Sequence, residues 1–185
     1  MTLRWVPNAI CVIRVLLVVP LVAALLDERY ELALVLLILA GGSDALDGFL
    51  AKTFDWRTRL GGLLDPAADK LLIGSVFMTL TYIGAVPLAL AVIVVLRDVV
   101  IVLGSLVYHV LVEPLQGQPA AISKLNTACQ LLFVLLVLTD AAYGWPGQGA
   151  LLPLGAAVVF TSITSGLNYV LRWSRRAWHT SHARA

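Results

Sequence analysis

Four aspartates, Asp44, Asp47, Asp65 and Asp69, fall within the 26-residue stretch "DALDGFLAKTFDWRTRLGGLLDPAAD", and the chain on either side is almost wholly apolar. Asp44 and Asp47 are three residues apart, and Asp65 and Asp69 are four apart. On a helix each pair shares a face. If the two helices are antiparallel neighbours joined by the short loop between them, both acidic faces turn into one cleft at one depth. Carboxylates gathered in a poorly solvated place need positive charge beside them. Lys52 and Lys70 supply only two. An all-oxygen set without His or Cys suits a hard divalent cation, Mg²⁺ or Mn²⁺, and two such ions are expected here. Paired hard cations serve phosphoryl-type chemistry by clamping non-bridging oxygens. Gly48, Ala51, Gly61 and Gly62 beside the acids leave room for a bulky ligand or a second backbone. The competing readings are ion pairs with Lys or Arg for the acids, and ordinary close helix packing for the small residues.

The elements that must hold this cluster follow from composition. Of 185 residues, 60% are hydrophobic and only 13% charged, about half the charged fraction of a soluble domain. Such a chain cannot cover a water-facing surface, so an all-α polytopic membrane protein is expected, with a single domain over 1–185. A span needs about 20 apolar residues. Six segments qualify, roughly 8–27, 31–51, 61–83, 86–112, 121–141 and 149–172, separated by "DERYE", "TFDWRTR", "IGAVP", "EPLQGQP" and "YGWPGQG". The first is expected to be a retained span, because Arg14 interrupts it and no Ala-x-Ala cleavage site follows. No Arg- and Ser-rich transit peptide is seen, which favours a bacterial cytoplasmic membrane.

Charge sets the orientation. With six spans, one side collects Arg4, Lys52, Arg57, Arg59, Lys124, Arg172, Arg175, Arg176 and Arg184, and the other only Arg29. Both termini and the polar cleft therefore face the cytoplasm. Trp5, Trp56, Trp173 and Trp178 would mark that interface, and Tyr30, Tyr82, Tyr143 and Trp145 the outer one. Residues 173–185 read as a basic cytoplasmic tail on anionic lipid. Arg14, Lys70 and Arg97 lie inside spans and need separate explanation. Cys11 and Cys129 read as buried apolar thiols, not as a disulfide or metal site. His109, His179 and His182 read as interfacial or solvated, and no nucleic-acid partner is expected.

The acidic stretch spells Asp44-x2-Asp47-Gly48-x2-Ala51-Lys52-x8-Gly61-x3-Asp65-x3-Asp69. It resembles the signature of the CDP-alcohol phosphotransferase family, D-x2-D-G-x2-A-R-x8-G-x3-D-x3-D, at seven positions. Lys52 replaces the family arginine, keeping the charge and losing the planar fork. Upstream, Pro7, Asn8, Arg14 and Pro20 also fit, while Cys11 stands where Thr is common; the likeness covers roughly residues 5–140. The resemblance implies that an alcohol hydroxyl attacks the lipid-side phosphorus of a CDP-linked lipid and that CMP leaves. It further implies that Asp44, Asp47, Asp65 and Asp69 ligate metal, that Asp69 is also the base, that Asn8, Asp44, Gly48, Ala51, Lys52 and Gly61 line the CDP site, and that the protein is a homodimer.

Two acceptors are open for CDP-diacylglycerol: phosphatidylglycerol and glycerol 3-phosphate. A phosphate monoester calls for clustered Arg and Lys. The fourth segment, "LRDVVIVLGSLVYH", holds Arg97 and Asp98 but no second Arg, and "AISKLNTACQLL" has one Lys where two would stand. These stretches are closer to the family members of mitochondrial type that use phosphatidylglycerol. Arg97 and Lys124 are the expected acceptor-phosphate residues, with a buried Arg97–Asp98 or Arg97–Asp69 pair as the bland alternative. A cation or proton transporter fits poorly, because the acids cluster at one depth and no inverted repeat is visible.

Overall fold

The computed structural model describes the backbone over residues 6–53, 61–111 and 121–182, and side-chain surroundings over 9–43, 68–104 and 122–171. Six helices follow one another: α1 (Val6–Leu26), α2 (Tyr30–Thr53), α3 (Gly61–Tyr82), α4 (Leu88–Leu111), α5 (Ala121–Tyr143) and α6 (Gln148–His182). The described residues contain no strand. Five of the six match the apolar segments of the sequence to within a few residues at each end. The sixth does not stop at the lipid boundary. It runs on through residues 173–182, so most of the expected tail is a direct continuation of α6. Its sequence explains this: no Gly or Pro follows Gly166 to interrupt the helix.

Among the described residues, three helical stretches are long and apolar enough to cross a membrane: Ala9–Leu26, Ile122–Tyr143 and Gln148–Leu171. Tyr30–Ser43 is a shorter apolar helical stretch. Many large apolar side chains are exposed, such as Leu16, Val19, Leu152 and Phe160. That is the outer face expected of helices solvated by lipid.

The chain divides into two compact units. The first comprises Met1–Pro87 and Val134–Gln148, the second Leu88–Phe133 and Gly149–Ala185. In the first unit α1 packs against both α2 and α3. Its buried stripe is Cys11, Arg14, Val18, Leu21 and Leu25, a three-four spacing that keeps one helix face inward. On α2 the fully buried residues include Ala33 and Ala40, small side chains that let two backbones approach. Thr79, Val76, Phe77 and Leu80 are the buried face of α3. The α1–α2 connection is tight. Arg29 N donates to Ala24 O (2.8 Å) and Glu28 N to Leu25 O (3.2 Å), with Glu28 at φ 56°. This is a Schellman end with a glutamate in the left-handed position that glycine usually takes.

In the second unit the buried faces of α4, the first half of α5, and α6 meet at Gly155. A Cβ there would lie 3.3 Å from both Leu90 Cδ1 and Phe133 Cε2, so the glycine allows close approach.

Candidate active site

Helix α2 carries Asp44 and Asp47 in its last third, and α3 carries Asp65 and Asp69 in its first third. The helical backbone is continuous at all four positions, so the three- and four-residue spacings do place each pair on one helix face. The side chains of Asp44, Asp47, Gly48, Ala51, Lys52, Gly61 and Asp65, and of Asn8 on α1, lie outside the described residues.

Asp69 is described, and its partner is an unforeseen one. Arg14 Nη1 on α1 donates to Asp69 Oδ1 on α3 at 2.9 Å. The arginine side chain has no exposed surface, while that of Asp69 remains 38% exposed. The charge-assisted bond joins two helices across 55 residues of sequence. It also places a guanidinium on the buried stripe of α1, where the hydrogen-bonded carboxylate offsets part of the cost of burying the charge. The basic residues expected beside the acids are Lys52 and Lys70, and Arg14 is not among them. The usable signal for Arg14 was its phase: it falls in step with Cys11, Val18 and Leu21, so it had to point inward.

The second unit holds a polar cluster. Arg97 on α4 is buried and forks: Nη1 donates to Asp98 Oδ1 (2.6 Å), and Nη2 to Ser123 Oγ on α5 (2.7 Å) and Ser165 Oγ on α6 (2.6 Å). Its alkyl stem lies over Gly166. One turn along α5, Asn126 Oδ1 accepts from Thr161 Oγ1 (2.9 Å) and Ser162 Oγ (2.8 Å) of α6. Another turn on, Gln130 is fully buried, and neither end of its amide finds a partner among the described residues. Lys124, the other expected acceptor residue, is exposed. Of the two pairings foreseen for Arg97, the one with Asp98 is formed, and Asp69 is held by Arg14 instead.

A hard divalent cation fits the four-aspartate set in donor chemistry, since every ligand would be a carboxylate oxygen from a helix face. Arg14 offsets part of the negative charge without adding a ligand.

Residues 4–164 match the CDP-alcohol phosphatidyltransferase family. The chain belongs to that family. Its relatives include human cardiolipin synthase (CMP-forming), 31% identical over 182 residues that cover 89% of this chain and 60% of that protein. Cardiolipin synthase (CMP-forming) of Streptomyces coelicolor is 34% identical over 143 residues, covering 76% of this chain and 62% of that one. A probable phosphatidylglycerophosphate synthase of Mycobacterium tuberculosis is 33% identical over 131 residues, covering 70% and 60%. The chain thus spans about 60% of the length of these relatives. Family membership and the three stretches long and apolar enough to cross a membrane make it an integral membrane protein.

Proposed function

We propose that this protein transfers a phosphatidyl group from CDP-diacylglycerol to phosphatidylglycerol and releases CMP, the cardiolipin synthase reaction. The observation that carries the reading is the aspartate set on α2 and α3, with Asp69 fixed by Arg14 at 2.9 Å. Asp44, Asp47, Asp65 and Asp69 would hold Mg²⁺ or Mn²⁺, two ions in this reading, which when bound offset the charge of the diphosphate. Asp69 accepts the proton of the acceptor hydroxyl as its oxygen bonds to the lipid-side phosphorus and the bond to CMP breaks. Arg14 ties down Oδ1 and so orients that carboxylate. Asn8, Gly48, Ala51, Lys52 and Gly61 line the CDP site. In this reading the helices are six spans of one domain, with the cleft and both termini on the cytoplasmic side of a bacterial inner membrane, and the protein acts as a homodimer.

The choice of acceptor rests on Arg97. Its Nη atoms already serve Asp98, Ser123 and Ser165, and Asp98 offsets its charge. With exposed Lys124, it is better matched to a singly charged phosphodiester than to a phosphomonoester, which needs more uncommitted cation. Glycerol 3-phosphate as acceptor is the second reading, favoured by the likeness to the mycobacterial protein.

The test is to incubate purified protein with CDP-diacylglycerol, Mg²⁺ or Mn²⁺, and either phosphatidylglycerol or glycerol 3-phosphate. Cardiolipin and CMP are expected from the first acceptor. Product only with glycerol 3-phosphate assigns the second reading, and no CMP with either alcohol defeats both. Asp69→Asn should abolish CMP release while leaving the protein inserted and folded: the amide oxygen can still accept from Arg14, so the hydrogen bond is kept and only the opposite charge is lost, and the Tm of the variant in detergent checks that it folds. Near-normal turnover of that variant would remove the base assignment.

A further inference from the structure

A cavity of about 450 Å³ opens at the far end of α2 from the aspartates, lined by Glu28, Arg29, Tyr30 and Glu31 from the α1–α2 turn and by Ala141 and Ala142 near the end of α5. All of it belongs to the first unit. Glu31 is 13 residues from Asp44, about 20 Å along the helix, so this is not the phosphotransfer site. Its three charged side chains are exposed, and none is engaged in an ion pair among the described residues.

We infer that this cavity binds the headgroup of a zwitterionic aminophospholipid, a phosphatidylethanolamine, in the leaflet opposite the aspartate cleft. Charge chooses the headgroup. One guanidinium, Arg29, can take a phosphate oxygen. Glu28 and Glu31 face the same hollow and, with Asp27 and Asp140 nearby in the chain, make this end net negative. A purely anionic lipid would meet more repulsion than attraction. A primary ammonium brings the positive charge that the two glutamates lack and three donors to reach them. A quaternary ammonium offers charge but no donor.

The cavity also has the right approach for acyl chains. Directly below it on α2, Leu32, Val35 and Leu39 are exposed at 37%, 52% and 56%. Their three-four spacing makes one apolar strip running from the hollow into the membrane. Tyr143, the last residue of α5, and Trp145 just beyond it are exposed and are side chains suited to the headgroup level. The bound lipid would bridge the α1–α2 turn to the end of α5.

The experiment uses full-length protein stripped of lipid in mild detergent. Lipid retention is read by native mass spectrometry, and thermal unfolding is read on titration with phosphatidylethanolamine, phosphatidylcholine or phosphatidylglycerol of matched chains. Phosphatidylethanolamine should be retained best and should raise Tm in a saturable way. Arg29→Gln and Glu31→Gln should each weaken its retention about two- to fivefold, the scale of one exposed charge contact, with lipid-free Tm unchanged. Equal retention of the three lipids, or parent-like retention by both variants, overturns the assignment. So does an equal Tm rise with water-soluble glycerophosphoethanolamine, which would make the site one for a free small molecule. CMP release is not among the readouts, so the outcome is independent of the proposed catalysis.

Discussion

Arg14 carries its charge on a wholly buried face of α1, and its bond to Asp69 helps to make that position tenable. Removing one member of a buried pair costs about 3–5 kcal/mol, because the other charge is left uncompensated. Asp69 reaches solvent, which places Arg14→Met at the low end, about 3 kcal/mol. Arg14→Lys should lose less, keeping the charge but not the fork. Replacing both members, Arg14→Met with Asp69→Leu, should recover much of the stability and none of the activity. Thermal unfolding in detergent together with CMP release checks all three, and a parent-like Tm for Arg14→Met would show that the pair contributes nothing. Residue identity alone made the aspartates legible, because four acids in an apolar chain demand an account. It left the Arg14–Asp69 pair hidden. A contact across 55 residues depends on how α1 meets α3, and no spacing within either segment encodes that.

At the scale of elements, α5 and α6 are joined by a ladder whose rungs differ in quality. Asn126 Oδ1 accepts from both Thr161 and Ser162. The single Thr161 hydroxyl proton has alternative acceptors in the carbonyls of Ala157 and Val158, so Ser162 depends on the asparagine more. Asn126 Nδ2 has no partner among the described residues, which offsets part of what the accepted bonds contribute, so Asn126→Leu should destabilise by no more than about 1 kcal/mol, within the range of interhelical hydrogen bonds in membranes. Gln130, one turn along, has an amide with no partner among the described residues. Taking that amide away removes a desolvation penalty of about 1–3 kcal/mol, so Gln130→Met should raise Tm. The two changes sit one turn apart on the same helix face and are expected to move Tm in opposite directions; a fall in both would mean that Gln130 is satisfied by something beyond the described side chains. Helix limits were readable because charge or turn chemistry brackets each apolar run. The αL position at Glu28 was less so, since the sequence offers no glycine there. The end of α6 misled for the converse reason: "RWSRRAWHTSH" has the charge of a solvated tail but nothing that stops a helix. At 35 residues α6 is about 52 Å long, against the about 30 Å of hydrocarbon that a span crosses.

For the molecule as a whole, the six-span reading makes a parity argument that labelling can decide. Asp27 lies in the α1–α2 turn and Gln148 begins α6. Between them run α2, α3, α4 and α5, so four crossings return the chain to the same side. Thr180, near the end of α6, lies one crossing further on and belongs on the opposite side. The Lys/Arg distribution, nine against one, assigns that opposite side to the cytoplasm. Single cysteines at Asp27, Gln148 and Thr180, in a background with Cys11 and Cys129 replaced by alanine, can be challenged with a membrane-impermeant maleimide in right-side-out vesicles. Asp27→Cys and Gln148→Cys should react and Thr180→Cys should not, with the pattern reversed in inverted vesicles. Labelling of the first two from different sides would require an odd number of crossings between them, which four spanning helices cannot produce. In that case at least one of α2 to α5 does not span. The shared cleft would then need a different construction, because Asp44 and Asp65 are brought to one depth only if α2 and α3 cross the bilayer in opposite directions.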